Sequence, residues 1–169
     1  MQGAALFKLK RVIMYEYRAK IIKIVDGDTV DVDIDLGFGV WLKGERVRIM
    51  GIDTPESRTA NEVEKLFGLA AKHRLEELLG EYSVLRTQVA KDGTDMKGKF
   101  GRILGDFVDD GGRFISKVLT EEGHCVPYYG ENKDLVQAQH MKNRERLLEE
   151  GVVSREDYDA AMLKESKGK

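Results

Sequence analysis

The chain has one cysteine, few histidines, no long apolar run and almost no net charge. Cys125 is the single cysteine among 169 residues, so no internal disulfide can form. With only three scattered histidines besides, the sequence shows no ligand spacing typical of a zinc site. No apolar run approaches the roughly 20 residues that span a bilayer. No P-loop and no glycine-rich dinucleotide-binding pattern is present.

The length and composition of the chain are typical of one globular domain. The chain is long enough to bury a core without disulfides or metals, and it is 41% hydrophobic and 34% charged. A formal net charge of −2 is unusual for a protein that binds nucleic acid, because such proteins are generally basic. Any binding of this kind is therefore expected to be weaker and less general than that of a strongly basic protein.

The most informative stretch runs from Arg48 to Glu56 and reads Arg-Ile-Met-Gly-Ile-Asp-Thr-Pro-Glu. It contains a fixed cation, two carboxylates and a turn stiffened by proline. An Asp-Gly-Asp-Thr segment precedes it at residues 26–29, and a Lys-Phe-Gly-Arg segment follows at residues 99–102. Together the three segments supply carboxylates for a hard cation and arginines for a phosphate, which is what hydrolysis of a phosphodiester requires.

Each residue type suits one part of that reaction. Asp28 and Asp53 offer the carboxylate oxygens that hard ions such as Ca²⁺ and Mg²⁺ prefer. Arg48 and Arg102 are candidate phosphate clamps, because a guanidinium stays charged and can bond two oxygens at once. Glu56 is the candidate general base that accepts a proton from water beside the metal.

Taken singly, these motifs have ordinary structural explanations. Asp28 follows a glycine in a common type of hairpin turn, which needs positive φ at its centre. The Asp-Thr-Pro-Glu segment can begin a helix, with its first residues as the cap and Pro55 in the first turn. Arg48, within a hydrophobic strand, would most often point to water. The combination, in this order on one small domain, favours the catalytic interpretation.

In these three motifs the chain resembles the staphylococcal nuclease (thermonuclease) family, over residues 17–150. The Arg48–Glu56 segment matches the family at every motif position, whereas Phe100 stands where the family often has tyrosine. The resemblance implies an α+β fold, a five-stranded OB-type β-barrel with about three helices. It also implies a calcium-dependent endonuclease that cuts DNA or RNA and leaves 3′-phosphate ends.

The resemblance assigns roles to nine residues. They are Asp28, Asp53 and the backbone carbonyl of Thr54 for the metal, Arg48, Glu56 and Arg102 for catalysis, and Lys99, Phe100 and Tyr129 for substrate binding. Phe100 would keep base stacking but lose any hydroxyl contact. Tyr128 and Tyr129 are adjacent, and only Tyr129 aligns with the family's aromatic pair. Substrate affinity and base preference are therefore expected to differ from those of the family.

The implied partner is single-stranded or locally unpaired DNA and RNA, cut by a monomer that does not contact a membrane. Two other interpretations are an inactive OB-type module that only binds nucleic acid and a protein-interaction domain that uses its C-terminal helix. An inactive relative should have lost some acidic or arginine positions. This chain retains all five such side chains, which favours the enzyme: Asp28, Arg48, Asp53, Glu56 and Arg102.

The hydrophobic pattern predicts strands at residues 17–25, 29–36, 45–52, 82–89 and 102–108. It predicts helices at residues 61–79 and 134–149, a short helix through residues 115–119, and a further helix after Ser154. Trp41 is predicted to pack against the barrel from a loop or short hairpin.

We divide the chain into an N-terminal basic arm or misassigned start (1–13), a nuclease-like domain (14–150) and a C-terminal helical extension (151–169). The apolar stretches of residues 1–13 are too short for a signal peptide, which predicts a cytoplasmic or host-cell interior location.

Overall fold

The computed structural model of the chain describes residues 14–88, 97 and 101–168. The barrel strands are β1 (Met14–Asp26), β2 (Thr29–Asp35), β3 (Trp41–Ile49), β5 (Tyr82–Gln88) and β6 (Ile103–Val108). Two short strands, β4 (Ile52–Asp53) and β7 (Val126–Pro127), form a separate antiparallel ribbon. The helices are α1 (Glu62–Leu78), α2 (Ile115–Glu121), α3 (Lys133–Glu149) and α4 (Arg155–Lys167).

Five strands close the barrel in the order β1-β2-β3-β6-β5. Alternation sends one face of each strand inward, as in β2, where Val30, Val32 and Ile34 are buried. The closure between β3 and β6 is parallel and pairs Val47 with Ile103, while the other barrel pairs are antiparallel. The predicted α+β fold with a five-stranded barrel is confirmed.

Helix α1 connects the barrel core to a second, smaller cluster. Asn61 caps it by accepting a hydrogen bond from the Glu64 amide at 2.8 Å. Leu75 packs in the barrel core, whereas Phe67 packs in the second cluster. In that cluster the ring of Tyr158 on α4 meets Phe67 edge-on, with centroids 6.3 Å apart. The C-terminal helix therefore docks on α1.

The third strand differs from its prediction at both ends. It begins at Trp41, which is half-buried and lies outside the barrel core, with the Lys43 ammonium 5.3 Å from its ring centroid. The predicted hairpin is present, because Trp41 pairs with Asp35 of β2, but Trp41 is not among the residues that pack in or against the barrel core. The strand ends at Ile49 because Gly51, at φ 73°, turns the chain so that Ile52 and the next residue pair with β7 instead.

No helix within the described residues is long and apolar enough to cross a membrane.

Candidate active site

One polar cavity of about 280 Å³ collects the residues predicted for metal binding and catalysis. It is lined by Asp26, Asp28, Thr29, Arg48, Asp53, Thr54, Pro55, Glu56 and Arg102. All six residues assigned to those two roles from sequence are in this set, although they come from three separate segments. Their individual roles stay predictions.

Asp28 sits at the turn between β1 and β2, and contacts from three residues hold its carboxylate. Thr29 Oγ1 donates to Asp28 Oδ1 at 2.8 Å, and the Thr54 amide donates to Oδ2 at 3.3 Å. Arg48 Nη2 lies 3.3 Å from the same Oδ2. Asp28 is only 9% exposed. The turn is therefore a fixed part of the cavity wall, and Asp28 is not the solvated turn residue that its motif alone would suggest.

The glycine of this turn is required for a different reason from the one predicted. Gly27 does not adopt positive φ. A Cβ atom at this position would lie 2.8 Å from the Ala71 Cβ and 3.1 Å from the Thr54 Cγ2. The prediction of a left-handed turn centre was wrong, because the close approach of the turn to α1 is what requires glycine.

Arg48 lies on β3 between two core residues and points away from the core. Val47 and Ile49 are fully buried, and the Arg48 side chain is 19% exposed. Its Nη2 donates to the Ile52 carbonyl at 2.8 Å, and its Nη1 donates to the Ile49 carbonyl. The guanidinium is thus fixed against the turn that leads into β4.

Asp53 lies on β4, where it pairs with Val126 of β7. Its Oδ2 is 2.8 Å from Nε2 of His140 on α3, and the His140 side chain is 8% exposed. Because a carboxylate oxygen accepts, Nε2 carries the proton in this hydrogen bond. The sequence analysis missed His140, which lies 87 positions from its partner and outside every motif.

Glu56 lies in the segment between β4 and α1, and this segment packs directly on the helix. The Glu56 amide donates to Glu64 Oε1 at 3.4 Å. A Cβ atom on Gly68 would lie 2.5 Å from the Glu56 carbonyl carbon and 2.6 Å from the Ser57 nitrogen. Gly68 was also missed, since a glycine inside a helical pattern gives no sign of what lies against it.

The pKa of Glu56 is raised above its ordinary value. Partial desolvation contributes most, and the negative charges of Asp26, Glu64, Asp28 and Asp53 add to it. Both effects disfavour the charged carboxylate. A pKa moved toward neutrality suits a group that must take up a proton from water and release it again.

Arg102 immediately precedes β6. The parallel pairing of Arg48 with Leu104 brings the start of β6 beside β3, so both predicted phosphate clamps line the same cavity. Lys99 and Phe100 lie outside the described residues.

Tyr129 lies over the turn at Gly51, outside the lining of this cavity. It is 80% exposed, and its hydroxyl oxygen is 2.8 Å from where a Cβ atom on Gly51 would be. A second, mainly apolar cavity of about 250 Å³ is lined by Met50, Gly51 and Tyr129, with Phe114 and Lys117 among the other residues. An exposed aromatic ring at this place is available for stacking.

The donor chemistry fits a hard cation. Within the described residues, no three His, Cys, Asp or Glu side chains are grouped so that they could hold a metal by themselves. The predicted ligands are the carboxylates of Asp28 and Asp53 and the backbone carbonyl of Thr54, all of which are oxygen donors. Oxygen-only ligation of this kind is typical of Ca²⁺ and Mg²⁺.

Three residues besides the predicted ones line the cavity: Asp26, Thr29 and Pro55. Asp26 accepts a hydrogen bond from the Ser57 hydroxyl and lies 3.9 Å from Arg58 Nη2. All three stand inside the motifs, so their positions next to the assigned residues could have indicated them.

Comparisons with known proteins agree with this geometry. The family model described as staphylococcal nuclease homologue matches residues 46–152, which is more than half of the chain. The micrococcal nuclease of Shigella flexneri is 29% identical over 138 residues, covering 78% of this chain and 71% of that protein. The thermonuclease of Staphylococcus intermedius is 32% identical over 101 residues, covering 60% of this chain and 54% of that protein.

Endonuclease YhcR of Bacillus subtilis is 25% identical over 119 residues, covering 68% of this chain but only 9% of that protein. The chain thus spans less than two thirds of the length of the thermonuclease and of endonuclease YhcR. The family match itself covers both the Arg48–Glu56 segment and Arg102. The chain belongs to the staphylococcal nuclease homologue family.

Proposed function

We propose that this chain is a metal-dependent nuclease that hydrolyses phosphodiester bonds of DNA or RNA, uses Ca²⁺ and leaves 3′-phosphate ends. The observation that carries the proposal is the single polar cavity that holds Asp28, Arg48, Asp53, Glu56 and Arg102. Acidic ligands, a base and two guanidinium groups in one place are the parts that this hydrolysis needs. The names of the nuclease relatives support the same reaction class.

The metal-binding part of the site is Asp28, Asp53 and the Thr54 carbonyl. A Ca²⁺ ion bound there would supply positive charge that offsets the phosphate charge and favours deprotonation of water. The chain's own contribution is to keep the Asp28 carboxylate in place, through the Thr29 hydroxyl and the Thr54 amide.

The reaction needs one proton acceptor and two anion-binding groups. Glu56 takes the proton from the attacking water, whose oxygen forms a new bond to phosphorus. The bond from phosphorus to the 5′ oxygen breaks, and that oxygen takes a proton from solvent water and leaves as a hydroxyl group. Arg48 and Arg102 donate hydrogen bonds to the phosphate oxygens as negative charge develops on them. The backbone carbonyls that bind Arg48 keep its guanidinium fixed, so that little reorganisation is needed when the charge appears.

We assign substrate binding to the aromatic and basic side chains that the family resemblance indicates. Tyr129 and Phe100 would stack on bases, and Lys99 would contact a phosphate. Stacking requires bases that are not paired, which favours single-stranded or locally open DNA and RNA. With a net charge of −2, the chain lacks the overall positive field that would hold nucleic acid nonspecifically.

The test is cleavage of a single-stranded DNA oligonucleotide by the purified chain with Ca²⁺, with Mg²⁺ and with a chelator. A Glu56→Gln variant purified in parallel controls for contaminating nucleases. We expect Ca²⁺-dependent cleavage by the parent chain only, and products whose 5′ ends are hydroxyl groups that a kinase can label directly. Cleavage that a chelator does not stop would overturn the calcium assignment. Binding without cleavage would favour the inactive OB-type module.

A further inference from the structure

His140 is a buried histidine on a helix whose other buried residue is Leu147. The other residues of helix α3 are half-buried or exposed. The reaction described above gives His140 no chemical role, and none of the three motifs contains it. A buried imidazole calls for a hydrogen-bond partner, and the partner is Asp53 at 2.8 Å.

Two side chains on one face of α3 reach the ribbon that carries Asp53. His140 bonds the Asp53 carboxylate, and Asn143, three positions later, donates from Nδ2 to the Cys125 carbonyl at 3.1 Å. Residues three apart lie on the same helix face. Cys125 immediately precedes β7, and β7 pairs with the strand of Asp53. The helix thus holds both strands of the ribbon at neighbouring points.

We propose that His140 is a positioning residue that orients Asp53 as a ligand for the divalent cation. Nε2–H holds Oδ2 of the carboxylate, so that Oδ1 remains as the oxygen for the ion. The proposal rests on the proposed function, because it assigns Asp53 to the metal. His140 itself touches neither the substrate nor the attacking water in this assignment.

The physical reason is the freedom of an aspartate at the edge of a short ribbon. The Asp53 side chain is 39% exposed, so packing alone does not restrict its rotation. The hydrogen bond from the buried His140 ring fixes the orientation of the Asp53 carboxylate before the ion binds. Binding of the ion then does not have to restrict the rotation of this side chain. Hydrogen-bond partners of metal ligands typically change metal affinity or activity by about 10- to 100-fold when removed.

The experiment compares the parent chain with His140→Ala, His140→Gln and His73→Ala. Gln retains an N–H donor at similar reach, and His73 is an exposed histidine on α1 whose side chain is 72% exposed. The dissociation constant for Ca²⁺ is measured by calorimetry in the absence of nucleic acid. Thermal melts without metal report on the fold, and turnover is measured across a Ca²⁺ series.

We expect His140→Ala to bind Ca²⁺ about 10- to 100-fold more weakly, with turnover largely restored at saturating Ca²⁺. His140→Gln should recover part of the affinity, and His73→Ala should match the parent chain. A well-folded His140→Ala variant with parental affinity overturns the inference. If His140→Ala does not fold, His140→Met replaces it, because Met fills the space without an N–H donor, and parental affinity in a folded His140→Met variant overturns the inference.

The outcome separates this inference from the proposed function. A parent chain that binds no Ca²⁺ overturns the calcium site and the positioning role together. A parent chain that binds Ca²⁺ and cuts DNA, beside a His140→Ala variant that is destabilised but binds equally well, overturns the positioning role alone. In that case His140 would only fasten α3 to the ribbon.

Discussion

Arg48 Nη2 lies 3.3 Å from Asp28 Oδ2, which joins the proposed phosphate clamp to the proposed metal ligand. The two residues come from adjacent segments, because Thr29, next to Asp28, pairs with Arg48 across the β2–β3 ladder. Both side chains are mostly buried, with exposures of 19% and 13%. Substitutions of Arg48 should therefore affect both the phosphate site and the orientation of the Asp28 carboxylate.

Arg48→Lys is expected to lower turnover by at least about 100-fold, because lysine keeps the charge but loses the planar fork that bonds two oxygens. Arg46→Lys is the matched control. Arg46 stands two positions earlier on β3 and makes a similar pair with Asp31, at 2.7 Å, outside the cavity. Turnover and KM of both variants are measured with thermal melts. Equal losses in the two variants would contradict the assignment of Arg48.

The barrel could be predicted from the sequence because its strands alternate cleanly. In β2 the buried Val30, Val32 and Ile34 stand between aspartates, and this period of two determines both the strand and its inward face. The cavity could be predicted because its residues occur in three compact motifs. The resemblance gave their order, and the pairing of β3 with β2 and β6 brings them together.

The remaining features depend on contacts between distant segments. Nothing near His140 in the sequence indicates that it faces Asp53, because the pairing of β4 with β7 determines where α3 meets the ribbon. Gly68 could not be predicted for the same reason. The need for glycine there arises only because the backbone of Glu56 lies against α1 in the folded chain. Such close approaches leave no periodic pattern for sequence analysis to detect.

Glu56→Gln is expected to reduce turnover by at least about 100-fold with the fold intact, because Gln keeps the size and hydrogen-bonding reach but cannot accept the proton. Affinity for Ca²⁺ should change little, since Glu56 is not assigned as a ligand. Glu76→Gln, an exposed change on α1, is the control. Full activity in a folded Glu56→Gln variant would refute the general-base assignment.

Gly68→Ala is expected to lower both stability and turnover. Helix propensity alone predicts a gain of about 1 kcal/mol for Ala over Gly inside a helix. Here the added methyl group would meet the backbone of Glu56 and Ser57, so the segment that carries the base must shift. Denaturant unfolding and turnover at saturating substrate check this. A variant that is more stable and fully active would show that the segment can move without cost.

Glu122→Gln tests an ion pair that links α1 to the end of α2. Arg74 on α1 bonds both carboxylate oxygens of Glu122, through Nε at 2.6 Å and Nη2 at 2.8 Å. These hydrogen bonds from Arg74 are the main cause that holds the pKa of Glu122 below its ordinary value of 4.5. The pair therefore stabilises the fold above about pH 4.5, and this contribution is lost as the pH falls through the lowered pKa.

The variant should be less stable than the parent chain by about 0.5–1 kcal/mol at pH 7, because both partners are about one-third exposed. The difference should shrink toward zero as the pH falls below 4.5, since Glu122 then becomes neutral in the parent chain as well. Urea unfolding at a series of pH values measures it. Glu121→Gln is the control, because its contact with Lys117 is long, at 4.0 Å, and exposed. If the stability difference between the parent chain and Glu122→Gln stays constant down to pH 3, the ion pair contributes nothing to stability. The variant would then act through packing or through the C-terminal cap of α2.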